Sequence, residues 1–185
     1  DPADALAPHW PRPAGRPVGG GWVEVGEVLV QGRTPDLHPP RPQHVVSVRV
    51  GEAIQLVGYD VSTTSMRPGE TLHLTLYWRC TAAMETSYTV FTHLLDPSGR
   101  LRGQHDDIPH RGELPTTSWV AGEYIADRYE LQLAADAPPG AYWLEVGMYD
   151  ARTLVRLPLY ADGARLQDDR VLLARIMVQP AASVP

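Results

Sequence analysis

The sequence contains no Lys and no Asn, and all 16 of its basic residues are Arg. Without Lys there is no Walker A loop and no Schiff-base amine. Without Asn there is no N-glycosylation sequon and no Asn-Gly hairpin turn, so turns fall to Asp, Ser, Pro and Gly. A GC-rich genome accounts for such a bias more simply than selection on a fold. The single cysteine, Cys80, excludes an internal disulfide. It ends an apolar strand pattern, where a buried, inert thiol is expected. No apolar run is long enough to cross a bilayer, so no direct membrane insertion is expected. The net charge of −6 argues against a nucleic-acid partner, which needs a basic face, and against docking on anionic lipid. No GxSxG elbow, HExxH pair or paired-Cys spacing occurs. The chain is read as non-enzymatic and without a cofactor. Beginning at Asp1, it reads as a soluble fragment of a longer protein.

What the sequence does contain is alternation. Leu72, Leu74, Leu76 and Trp78 alternate with His73, Thr75, Tyr77 and Arg79, which places four large apolar side chains on one face of a strand. Tyr88-Thr-Val-Phe-Thr-His-Leu-Leu95 follows, and Asp96-Pro-Ser-Gly99 turns the chain back along Arg100 to Gln104. Val46, Val48 and Val50 alternate. Ile54, Leu56 and Gly58 are expected on one face of the next strand, with Val57, Tyr59 and Val61 on the other. Tyr129, Leu131 and Leu133 alternate with Glu130 and Gln132, and Tyr142, Leu144, Val146 and Met148 with Trp143, Glu145, Gly147 and Tyr149. Val155 to Leu159 and Val171 to Val178 complete the strands. No stretch keeps a helical period for the length a stable helix needs. The fold expected is all-β: an antiparallel two-sheet sandwich of immunoglobulin-like type, with a jelly roll as second choice. Its core should include Leu56, Leu74, Leu76, Trp78, Val90, Leu131, Leu144, Val146 and Leu173.

Residues 1–43 read as a Pro- and Gly-rich arm with one strand at about 22–30, residues 44–180 as the sandwich, and 181–185 as a loose tail. Val28-Leu-Val-Gln31 echoes Ile176-Met-Val-Gln179, so the arm is read as the end of a preceding repeat or as a chance match.

Two loop clusters hold candidate chemistry. His105, Asp106, Asp107 and His110 are the residues that would hold a metal if any did, but no ligand spacing supports them and no metal is expected. Asp127, Glu130 and Glu145 fall on strands, where charged side chains are expected to face solvent. The composition favours Trp and Tyr over Phe, five and eight against one, and such rings stack on the C–H faces of sugars. The long segment from Asp106 to Tyr124 is therefore the candidate glycan site, with Trp119 and Tyr124 as stacking faces and Asp106, Asp107, Arg111 and Glu123 reaching hydroxyls. The competing reading is that Trp119 plugs an end of the sandwich.

A set of motifs recurs in order: Ile54-x-Leu-x-Gly-Tyr-Asp60, Arg67-Pro-Gly-Glu70, Leu76-Tyr-Trp78, Tyr88-x-Val-Phe-x-His-Leu-Leu-Asp96, Pro115-Thr-x-x-Trp119 with Gly122-Glu123 and Asp127-x-Tyr129, and Pro139-Gly-x-Tyr142 with Gly147-x-Tyr-Asp150. In this order they resemble the C-terminal extracytoplasmic domain of bacterial multi-pass membrane glycosyltransferases of the protein mannosyltransferase type, over about residues 45–178. The resemblance implies a non-catalytic domain outside the membrane, in a membrane-anchored protein whose transfer chemistry lies elsewhere. No catalytic residue carries over. The partners it implies are a glycan or cell-envelope polymer and the membrane-embedded part of the parent chain. The alternative is a structural spacer or protein-interaction module without a small ligand.

Overall fold

The computed structural model describes residues 16–18, 22–24 and 32–180. The chain divides into two compact units, 1–34 and 35–185. In the first, β1 (Arg16–Val18) pairs antiparallel with β2 (Trp22–Glu24). The arm thus holds a short strand before the expected one. Pro17 is tolerated there because a two-stranded ladder leaves each strand an edge needing no N–H. Residues 25–30 of the expected strand, and with them the Val28–Gln31 echo, lie outside the described residues, as does the tail 181–185.

The second unit is built from β3 (His44–Val50), β4 (Ile54–Val61), β5 (Ser65–Met66), β6 (Thr71–Cys80), β7 (Tyr88–Leu95), β8 (Leu101–Gln104), β9 (Tyr124–Gln132), β10 (Gly140–Asp150), β11 (Val155–Arg156), β12 (Leu159–Ala161), β13 (Ala164–Arg165) and β14 (Val171–Val178). One sheet has the order β13-β12-β3-β4-β6-β9. The other has the order β5-β14-β10-β7-β8, with β11 on β10. All pairings are antiparallel except β5 with β14. After β4 the chain crosses to the opposite sheet, where β5 lies parallel to the last strand. That switch, and the exchange of the chain between sheets after β6, β8 and β9, make the sandwich immunoglobulin-like. Tyr142 adds a second mark. It is buried near the start of β10, and its hydroxyl donates to the Pro138 carbonyl at 2.8 Å, the tyrosine-corner arrangement.

The core is the expected one with two corrections. Leu72, Leu74, Leu76 and Trp78 meet Leu131, Tyr142, Leu144 and Val146 between the sheets. Leu173 is only partly buried, because the β10–β14 register shifts between Leu144 and Glu145 and leaves it in the bulge. On β4, Tyr59 and Val61 turn inward with Ile54 and Leu56, because the β4–β6 register shifts between Leu56 and Gly58. One extra residue reverses the parity of everything after it. Gly58 is needed there: a Cβ would lie 2.3 Å from the Pro42 ring. Residues 35–43 accordingly belong with the sandwich. Gln43 N–H donates to Asp60 at 2.6 Å and Tyr124 N–H to the Asp36 carbonyl at 2.8 Å.

The turn Asp96–Gly99 forms as its residues require. Gly99 has φ 78°, and the Asp96 carboxylate accepts from the Ser98 hydroxyl, the Ser98 and Arg100 N–H groups and Arg102. These bonds, the Ser98 hydroxyl first, hold the Asp96 carboxyl well below its usual range. Replacing the corner hydroxyl, Tyr142→Phe, should cost about 1 kcal/mol, the usual worth of one hydrogen bond, read from the urea midpoint at unchanged slope.

Candidate functional site

The residues proposed from the sequence do not converge. Trp119 is 3% exposed, and its indole N–H donates to the Leu114 carbonyl at 3.0 Å. It is a plug in the core, not a stacking face. Glu123 is buried too, and its carboxylate accepts from Val120 N–H at 3.0 Å. It closes the turn into β9. Tyr124 is half-buried under Arg79, and Arg111 reaches Glu130 at 3.4 Å. Asp107 forms a bridge with Val90 through both backbone groups. His105 accepts Glu130 N–H through Nδ1, its Nε2 lying 4.0 Å from Asp107, and His110 uses its backbone N–H on Asp127. Among the described residues no group of three or more His, Cys, Asp or Glu is gathered to hold a metal.

Only Asp106 of the proposed set joins a larger cluster, on the outer face of the β5-β14-β10-β7-β8 sheet. Its centre is Glu145, which is 2% exposed although it points away from the core. The alternation that sends Leu144 and Val146 inward sends Glu145 outward, beside its cross-strand neighbour His93 on β7. The carboxylate is 3.4 Å from His93 Nδ1 and 3.4 Å from Arg156, and it accepts a short bond from Arg170. His93 Nε2 meets Asp106 at 3.2 Å, so the imidazole bridges two carboxylates. Glu145 and Asp127 therefore correct the expectation that strand carboxylates face solvent. Asp127 is fully buried, accepting the Tyr129 hydroxyl and His110 N–H, and burial pushes its carboxyl up.

Aromatic rings complete the outer face. Phe91 lies across Gly147, where a Cβ would fall 2.4 Å from the ring. Only glycine lets the ring lie flat there. The Arg156 guanidinium caps that ring 4.2 Å from its centroid, and Tyr149 stands 6.4 Å away. With Leu154, these groups line a depression of about 200 Å³ beside His93 and Asp106. Leu154 is 75% exposed at the tip of the β10–β11 hairpin. Further along the same strand Trp143 lies under Arg175 at 4.7 Å. The sequence held one signal of this face: Trp143, Glu145, Gly147 and Tyr149 alternate opposite an aliphatic row. The pairing of His93 with Glu145 and the return of Arg156 and Arg170 had none.

No family model matches the chain, and no curated protein matches it in sequence. Among solved structures it is similar to the C-terminal domain of wzt, at 12% identity over 82% of this chain and 89% of that one, with a TM-score of 0.47. It is also similar to the CARDB domain of a Pyrococcus furiosus protein solved with two metal ions, at 9% identity over 80% and 100%, TM-score 0.38. A third similarity is to Bacteroides uniformis β-glucuronidase, at 14% identity over 60% of this chain and 12% of the enzyme, TM-score 0.39.

Two outcomes follow from this geometry. Trp119→Ala should lower unfolding free energy by about 3–5 kcal/mol, the usual range for truncating a buried large side chain. The second concerns pH. Burial alone would lower the His93 pKa, but hydrogen bonds and charge from Asp106 and Glu145 overcome it and raise the value from 6.5 to about 9. A raised histidine stabilises fully below its unfolded value and loses that contribution as pH rises through its folded one. Urea midpoints should therefore fall between pH 6.5 and about 9. The loss is about 3 kcal/mol at most, and it should disappear in His93→Gln.

Proposed function

We propose that this is a non-catalytic, extracytoplasmic accessory domain of a membrane glycosyltransferase-like protein, and that it binds glycan on the outer face around Glu145. The observation that carries the site is the buried Glu145 carboxylate held rigid by His93, Arg156 and Arg170 beside the half-buried Tyr149 ring, with Phe91 buried beneath Arg156. A pyranose has an apolar C–H face and a polar rim, and this depression offers the Tyr149 ring and the exposed Leu154 beside fixed donors and acceptors. The near balance of charge, three cations against Glu145, Asp106 and Asp168, suits a neutral sugar. The extracytoplasmic placement and the membrane-anchored parent rest on the motif resemblance over residues 45–178.

One observation favours the spacer reading: every charged group in the cluster already has a partner within it. The two readings separate on a glycan array probed with the chain. A binding domain should capture at least one glycan class. Tyr149→Ala should then weaken capture about tenfold or more, as loss of a well-packed aromatic contact does, while Tyr124→Ala leaves it unchanged. Absence of any captured glycan, or loss with Tyr124→Ala and not with Tyr149→Ala, would sink the outer-face site.

A further inference from the structure

The hairpin between β10 and β11 is wound around Asp150. The Asp150 carboxylate accepts Arg152 N–H at 2.8 Å, and its carbonyl accepts Thr153 N–H at 3.2 Å and Leu154 N–H at 2.7 Å. This tight turn leaves Leu154 with left-handed backbone, at φ 59°. Hairpins ordinarily place Gly or Asn at such a position, because a Cβ there crowds the following carbonyl oxygen. The chain has no Asn but 16 Gly, so a residue free of that strain was within its repertoire. Among the described residues, the other non-glycine left-handed positions are His110, Arg111, Asp162, Asp168 and Asp169, all polar. Leu154 is the one apolar member of that set.

Burial does not compensate the strain, since Leu154 is 75% exposed. An exposed leucine alone is ordinary, but a bulky one held in left-handed backbone is an outlier of the kind that gathers at ligand sites. Leu154 forms one wall of the depression of about 200 Å³ that also has Tyr149, His93, Asp106 and Arg156 in its lining. That volume lies below the roughly 300 Å³ at which pockets for drug-sized ligands begin, so it takes one sugar ring rather than an oligosaccharide. The rest of the lining is aromatic or charged, and Leu154 is its one aliphatic residue. Ring C–H groups match Tyr149, and hydroxyls match Asp106 and Arg156. An isobutyl group matches neither need. It favours a ligand group that is itself aliphatic, and a hydroxyl set against it would give up water without gaining a partner.

Resting on the glycan site proposed above, we infer that Leu154 is a specificity-determining residue and that the sugar class bound there is the 6-deoxyhexose, its C6 methyl set against the Leu154 side chain. A 6-deoxyhexose keeps the C–H face and ring hydroxyls of any hexose and replaces the one flexible hydroxymethyl by a methyl. It is also uncharged, as the near balance of charge around Glu145 requires.

The test is an NMR titration of the chain, read on the Leu154 methyl signals, with L-fucose against L-galactose and L-rhamnose against L-mannose. Each pair differs by the C6 hydroxyl alone. In at least one pair the deoxy sugar should bind about three- to fivefold more tightly, the worth of one methyl group taken out of water, and should shift the Leu154 signals. Leu154→Gly should abolish that preference and leave the affinity for the parent hexose unchanged. The same variant should raise the urea midpoint, because glycine takes φ 59° without strain. A merely structural Leu154 predicts the reverse, a lower midpoint with the preference intact, and that result would overturn the inference. Equal affinity within both pairs, Leu154 signals moved only by N-acetylhexosamines, or binding to neither pair by a chain that captures other glycans on the array would overturn it too, while leaving the outer-face site standing. A chain that captures no glycan at all loses the site and this inference together.

Discussion

A carboxylate buried on the outside of a sheet is the constraint from which the outer face follows. Glu145 has 2% exposure, and an ion so removed from water costs several kcal/mol unless partners replace its hydration. Three partners do so, and each comes from a different part of the chain: His93 from β7, Arg156 from the hairpin strand β11, and Arg170 from the approach to β14. Desolvation works to raise the Glu145 carboxyl, but His93 and Arg170 outweigh it and hold it below its usual range. The β10–β11 hairpin thus lies where Arg156 can reach both Glu145 and the Asp168 carbonyl. Asp168, itself at φ 56°, gives its carboxylate to Arg170. A spacer gains little from such a network, since apolar replacements of buried ion pairs are often as stable. A recognition face gains fixed donors and acceptors before any ligand arrives.

Asp127 shows the same physics on the inner side with a different result. It occupies a core-facing position of β9 between Ile125 and Tyr129, where the alternation calls for an apolar side chain. It is held by the Tyr129 hydroxyl and His110 N–H, and burial moves its carboxyl up. Its effect is to tie a loop to a strand edge from beneath, which leaves the space above Ala126 and Arg128 open. One buried acid thus organises a face, and the other the stand-off of a loop.

The strands and their inward faces were legible because burial on one side imposes a period of two. Leu72 to Trp78, Tyr129 to Leu133 and Tyr142 to Met148 fall as the alternation requires. The reading failed where a register shift inserted a residue. At Leu56/Gly58 the parity reversed and brought Tyr59 and Val61 inward, and at Leu144/Glu145 it left Leu173 in the gap. A bulge has no sign in hydrophobicity, although Gly58 marked the first as a place where a side chain would not fit.

The site was less legible, for a reason that concerns polarity. Glu145 and Asp127 each sit at one position in an alternating strand, and sequence alone assigns a strand carboxylate to water by default. Except for Tyr129, the groups that hold them lie 11 to 52 residues away in the chain, and His93 is fixed only once β7 pairs with β10 in register. Trp119 misled for the opposite reason. A tryptophan in a long loop reads as exposed, but this loop folds back through the one-turn 3-10 helix Thr116–Ser118, and the buried Thr116 hydroxyl fastens it to the Thr86 carbonyl. With that anchor made, the indole enters the core, and the ring edge left for a ligand is that of Tyr149 on β10, since Phe91 is buried beneath Arg156.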